Sequence, residues 1–195
     1  MKVIGITGNS GSGKSTICEI IKENYNSKII DADKVAKKLT ASQTEYIQEI
    51  IKTFGDNIVD ENEKLNRKKL ADIIFNNKEK KMLLDKLTFK YVVDEIKEQI
   101  GKIKDCDYIV LDVPLLFESK LNEVCDATIG VLAEKEEKIN RIINRDKITY
   151  EKALNRLNNQ PDDKFYIDNC NFIILNNESA EKIKEQIRKI FIKLQ

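Results

Sequence analysis

GNSGSGKST, residues 8–16, is the stretch from which the rest of the chain is read. Gly5, Gly8, Gly11 and Gly13 are four of only seven glycines in 195 residues, and they lead straight into Lys14, Ser15 and Thr16. The segment fits the phosphate-binding pattern G-x-x-x-x-G-K-[ST], with Gly8, Gly13, Lys14 and Ser15 at its fixed places. A phosphate cradle needs backbone N–H groups converging on one anion, and side chains would block that approach. Glycine at positions 8, 11 and 13 permits both positive φ and close contact. Asn9, Ser10, Ser12 and Thr16 fill the rest of the expected phosphate contact. A helix beginning near Lys14 adds partial positive charge at its N-terminus. Lys14 is expected to reach the β- and γ-phosphates, and the Ser15 hydroxyl to coordinate Mg²⁺. A glycine-rich turn joining strand to helix is the plainer alternative. An apolar strand before the loop and a helix after it favour nucleotide binding.

Working outward, KVIGIT (2–7) is a short apolar run ending at the loop, the mark of a buried parallel strand. Ile17, Ile20 and Ile21 recur at helical spacing, and KIID (28–31) follows as a second strand. Residues 34 to about 101 are strongly charged and mostly helical, with no convincing buried strand among them. Strands resume at YIVLDV (108–113), ATIGVLA (127–133) and NFIIL (171–175), with helices expected at about 135–145, 149–159 and 179–194. This alternation predicts an α/β fold: a mainly parallel five-stranded sheet covered by helices on both faces, with an inserted helical lobe.

Composition narrows the function classes. With 34 basic against 33 acidic residues, nothing draws the chain as a whole to nucleic acid or to an anionic membrane. No apolar run suits a signal peptide or a membrane span. Cys18, Cys106, Cys125 and Cys170 are scattered, and histidine is absent, so a zinc site is disfavoured. A cytoplasmic protein with reduced thiols is expected, as a monomer or weak homo-oligomer.

Ligands of α/β sheets bind where the C-terminal ends of the strands meet. Asp112 ends YIVLD, where a phosphate-loop protein often keeps an acid for magnesium; an ordinary loop aspartate is the alternative. Asp31 and Asp33 end the second strand. Asp33 reads equally as the cap of a helix starting near Lys34 or as a general base for an acceptor hydroxyl. Arg141 and Arg145, four apart, share one helix face and suit a transferring phosphoryl group, or else a solvated, salt-bridged helix. Lys135, Lys138 and Lys147 read as surface charges. The guanine-specifying N-K-x-D is missing, since Asn77-Lys78-Glu79-Lys80 lacks its aspartate, and so is a transporter-type glycine signature. A small-molecule kinase with an acceptor lobe and a lid is what remains.

These residues resemble one family, the dephospho-CoA kinases, nearly end to end. The resemblance runs through the glycine loop, DADKVAKKL (31–39), FGDNIVDENEKLNRKKLADIIFNN (54–77), VPLLFES (113–119), RIINRD (141–146) and Gln160. It implies a three-layer P-loop kinase fold, with a nucleotide core at 1–39, 102–134 and 161–195, a CoA lobe at 40–101 and a helical lid at 135–160. It also implies transfer from ATP, with Mg²⁺, to the ribose 3′-hydroxyl of dephospho-CoA, giving CoA and ADP. The family's base falls on Asp33 and its lid arginines on Arg141 and Arg145, with Lys14 also catalytic. Leu115, Leu116, Phe117 and Glu118 fall near the acceptor. Where the family commonly has Thr-His-Pro, this chain has Thr88-Phe89-Lys90, so any acceptor contact there passes to Phe89 or Lys90. Asn159 stands where alanine is usual. Two other readings stay open: a nucleoside or nucleotide kinase with another acceptor, and a nucleotide-binding protein with an impaired acceptor site.

Overall fold

The computed structural model describes residues 1–40, 44–60, 65–75 and 77–194. Positions 61–64 and 76 of the 54–77 stretch therefore lie outside the described residues. The chain divides into two compact units, Met1–Ile30 with Ile103–Gln195, and Asp31–Lys102.

The first unit is built on the sheet. Its strands are β1 (Lys2–Thr7), β2 (Ser27–Asp31), β3 (Tyr108–Asp112), β4 (Ala127–Leu132) and β5 (Phe172–Leu175), in the order β2-β3-β1-β4-β5. β1 pairs in parallel with β3 and β4, and β4 with β5. Alternation along β1 sends Ile4 and Ile6 to one face, with Val110, Ile129, Val131 and Ile174. There they meet Ile17, Cys18 and Ile21 of α1 (Lys14–Asn24) and Ile183, Ile187, Ile190 and Phe191 of α9 (Ala180–Lys193). Each such side chain contributes roughly 1.5–3 kcal/mol on burial. On the other face, Gly5 leaves room for Leu116 and Cys125, and Gly130 for Tyr166 of α8 (Asp163–Asn169), a helix not expected from the sequence. α6 (Lys135–Asp146) and α7 (Tyr150–Asn158) pack through Ile139, Ile142, Ala153 and Leu157.

The second unit is helical: α2 (Ala32–Leu39), α3 (Glu45–Phe54), α4 (Arg67–Phe75) and α5 (Lys78–Lys102). Tyr46, Ile47 and Ile50 lie on one face of α3, and with Ile58 and Leu70 they form its core. α2 packs on α5 within this unit, which runs over Asp31–Lys102.

Candidate active site

The register sets Ile6 beside Asp112 and Thr7 beside Gly130, so β1 ends between two strands that end close to it. The loop leaving β1 turns through positive φ at Gly8 (145°) and Gly13 (92°). A β-carbon at Gly8 would lie 2.3 Å from the Val131 carbonyl oxygen, and one at Gly13 would lie 1.9 Å from Asn176 Nδ2. Gly13 is the cap residue of α1, and no side chain caps this helix. Its first-turn N–H groups therefore need a partner from elsewhere, which makes them an anion seat. Lys14 Nζ donates to Gly8 O at 2.7 Å and Asn9 O at 3.2 Å, which holds the ammonium against the loop. Asn9 Oδ1 and Ser12 Oγ are buried within the loop without hydrogen-bond partners, an arrangement natural where a polar ligand completes the set. Ser15 and Thr16 are exposed, and Ser15 Oγ lies 3.5 Å from Asp112 Oδ2. These two hard oxygen donors are of the kind a magnesium ion takes.

Around the loop, α6, the end of β5 and the segment Gln160-Pro161 hold it in place. Asn9 Nδ2 donates to Pro161 O at 2.8 Å, and Ser10 N donates to Gln160 Oε1 at 2.9 Å. Arg141 donates to Gly11 O (3.2 Å), Ser12 O (3.3 Å) and Asn176 O (3.0 Å). Arg145 donates to Ser10 Oγ at 3.1 Å. Asn176, at the end of β5, is buried and donates through Nδ2 to Ser12 O at 2.7 Å. The two arginines thus share a face directed at the loop, as their spacing predicts. Asp146 accepts two bonds from Arg145, at 2.8 and 3.0 Å, and another from Arg156. The Arg145 bond, with Arg156 beside it, pushes the Asp146 carboxyl down to about 2.

The segment after β3 divides its expected acceptor residues. Leu116 is fully buried over Gly5 and anchors the turn, whereas Leu115 and Glu118 are exposed. Phe117 meets Phe165 edge-on at 5.5 Å.

In the helical unit the cap reading of Asp33 is corrected. α2 begins at Ala32, and its cap is Asp31, whose Oδ1 accepts from Lys34 N at 3.0 Å. Burial tends to raise the Asp31 carboxyl, but the Lys34 N–H and ammonium outweigh it and hold it below its ordinary value. Asp33 stands exposed in the first turn, with no capping duty. On α5, Phe89 is half-buried. Lys90 lies 3.6 Å from Glu49 and 5.0 Å from the Tyr91 ring centre, and Tyr91 donates to the same Glu49. That hydrogen bond lowers Glu49 and pushes the Tyr91 phenol up to about 12.

Sequence reasoning passed over Asn176, which closes on the loop, and Asp146, which orients Arg145. An amide pair, Asn176-Asn177, directly after an apolar strand was the available signal for the first. Asp146, following Arg145, looked like ordinary helix charge.

A family model described as dephospho-CoA kinase matches residues 2–182. The dephospho-CoA kinase of Fusobacterium nucleatum subsp. nucleatum is 38% identical over 187 residues, covering 96% of this chain and 95% of that one. Among solved structures, a protein from Thermus thermophilus superposes with a TM-score of 0.81 at 26% identity, covering 100% of this chain and 98% of that one. The dephospho-CoA kinase from Campylobacter jejuni superposes at 0.65 with 30% identity, over 98% and 96% of the two chains. The phosphate loop, the sheet around it and a match running almost the whole length agree: the chain belongs to the dephospho-CoA kinase family.

Proposed function

We propose that this protein transfers the γ-phosphoryl group of ATP to the ribose 3′-hydroxyl of dephospho-CoA, giving CoA and ADP. Family membership carries the acceptor's identity, and the uncapped start of α1 behind the glycine loop carries the nucleotide site. In this reading the loop N–H groups and Lys14 hold the phosphates. Arg141 and Arg145 spread positive charge over the group in flight. Ser15 and Asp112 are the residues that would hold Mg²⁺, which would supply positive charge against the phosphates. Asp33 accepts the hydroxyl proton; its freedom from capping supports that role. Leu115, Phe117 and Glu118 contact the acceptor, with Leu116 as the anchor beneath them, and Phe89 and Lys90 contribute from the helical lobe. Residues 135–160 act as the lid. Cysteines scattered along the chain, with Cys106, Cys125 and Cys170 as free thiols, suit a reducing cytoplasmic setting, and no described helix is long and apolar enough to cross a membrane.

The test is ADP release by the purified protein with Mg-ATP, in the presence of dephospho-CoA, adenosine or AMP. Stimulation by dephospho-CoA alone is the expected result. Stimulation by adenosine or AMP instead would make the protein a kinase of another acceptor. Tight ATP binding with no stimulation would leave a nucleotide-binding protein.

A further inference from the structure

We propose that the ion pair between Lys138 and Asp163 is a positioning device: it seats α6 on the phosphate loop and so fixes where Arg141 and Arg145 stand. The proposal rests on the reading that this loop holds ATP. Among the charges of KEEKINRIINRD (135–146), Lys138 looks like one more solvated side chain. The structure buries it. Its side chain is 8% exposed, and Nζ lies 2.7 Å from Asp163 Oδ1 on α8. A lysine so enclosed requires a counter-charge, and Asp163 supplies it.

The backbone of the same residue touches the loop. Gly11 has φ of 77°, and a β-carbon there would lie 2.4 Å from Lys138 O and 2.9 Å from its Cα. Loop and helix therefore meet main chain to main chain, with no side chain between them to absorb a shift. Arg141 follows Lys138 by three residues and Arg145 by seven, which puts all three on one face of α6. From that face Arg141 reaches the Gly11 and Ser12 carbonyls and Arg145 reaches Ser10 Oγ. A tilt of α6 at Lys138 would displace both guanidinium groups together.

The other end of the pair is well anchored. Asp162 caps α8 by accepting from Phe165 N at 2.9 Å. Tyr166 lies buried against Gly130 of β4, and Phe165 meets Phe117 of the proposed acceptor turn. Just before α8, Gln160 and Pro161 bond to Ser10 and Asn9 of the loop. The sheet thus fixes α8, α8 fixes Lys138, and Lys138 fixes the arginines.

Burial is unequal across the pair, and the two deletions should therefore differ. Asp163 is 44% exposed, so in Lys138→Met the remaining carboxylate is hydrated and methionine fills the lysine stem's space. Asp163→Asn strands a buried ammonium beside a neutral acceptor, the worse outcome. The experiment measures KM for ATP, kcat in the dephospho-CoA-dependent assay, and melting temperature. The variants are Lys138→Met, Asp163→Asn and Asp163→Glu, with Lys184→Met, an exposed lysine on α9 outside the proposed lid, as control. Misplaced charge at a transferring group is expensive in rate, so Asp163→Asn should lose about tenfold or more in kcat/KM for ATP. Lys138→Met should lose less, Asp163→Glu should recover most of the activity, and Lys184→Met should match wild type. Wild-type kcat and KM in both deletions would overturn the proposal. So would losses that follow only the folded fraction, with KM unchanged. Should Asp163→Asn fail to fold, Lys138→Met and Asp163→Glu still decide through KM. If wild type itself shows no acceptor-stimulated ADP release, the functional reading fails separately. ATP affinity measured calorimetrically across the same variants then tests the positioning role alone: a weakening in the same order upholds it, and equal affinities overturn it.

Discussion

The phosphate loop and the helical unit at Asp31–Lys102 place their candidate functional residues by opposite means. The loop is held at Asn9, Ser10, Gly11 and Ser12 by partners from α6, from the end of β5 and from Gln160-Pro161. Its glycines lie against backbone or buried amide with no room for a methyl group. In the helical unit, Asp33 stands exposed on a first turn, and Lys90 is engaged mainly by its neighbours Glu49 and Tyr91. Gly101 there has nothing within 4 Å of a would-be β-carbon. In the proposed reaction the site that would resist the charge of a transferring phosphoryl group is preorganised in backbone. The residues proposed to meet the acceptor are carried on an ordinary helix surface.

The largest expected effects come from changes that remove chemistry while sparing structure. Lys14→Ala and Asp33→Asn should each lower kcat by about two to three orders of magnitude or more, with melting temperatures near wild type for Asp33→Asn. Near-normal turnover in Asp33→Asn would remove the base assignment, and the carboxylate could not then be explained as a helix cap either.

Next come the glycines, where the two regions should respond with opposite sign. Gly8→Ala drives a methyl group into the Val131 carbonyl and should destabilise by about 1–3 kcal/mol or more, read from urea midpoints. Gly101→Ala, in open space within α5, should stabilise by up to about 1 kcal/mol. If both changes had the same sign, the contrast between a crowded loop and an open helix would be broken. Asn176→Ala removes a buried amide from Ser12 O and should cost about 1–3 kcal/mol, together with weaker ATP binding.

The smallest effect is a pH dependence. The Asp146 carboxyl titrates at about 2 in the folded protein, against an ordinary 3.8, so folding favours its ionised form. Its contribution is complete above about pH 4 and fades as pH falls toward about 2. Asp146→Asn should flatten that part of the acid limb in urea midpoints taken through this range. An unchanged limb would mean that Arg145 and Arg156 do not hold this carboxylate in solution.

Much of this was legible in the chain, for identifiable reasons. Glycine spacing dictates the loop because few other residues tolerate those φ values. The five strands are visible as short apolar runs. Helix α8 escaped because seven residues carry too little periodicity, and its Tyr166 is placed by a glycine on a distant strand. The cap reading fell on Asp33 because the helix was expected to start near Lys34; the actual start at Ala32 gives that duty to Asp31, two residues earlier and of the same chemistry. Lys138 was misread as surface because its burial arises from Gly11 and Asp163, both far away in sequence. Leu116 came with its neighbours as an acceptor residue, whereas the gap above Gly5 makes it an anchor.

The most direct test of the account is to incubate the wild-type protein with Mg-ATP and dephospho-CoA, isolate the product and locate its new phosphate by phosphorus NMR. The account predicts one new phosphomonoester, on the ribose 3′-hydroxyl, formed in equal amount to ADP. A phosphate at any other position, or ADP formed without a phosphorylated acceptor, would contradict it.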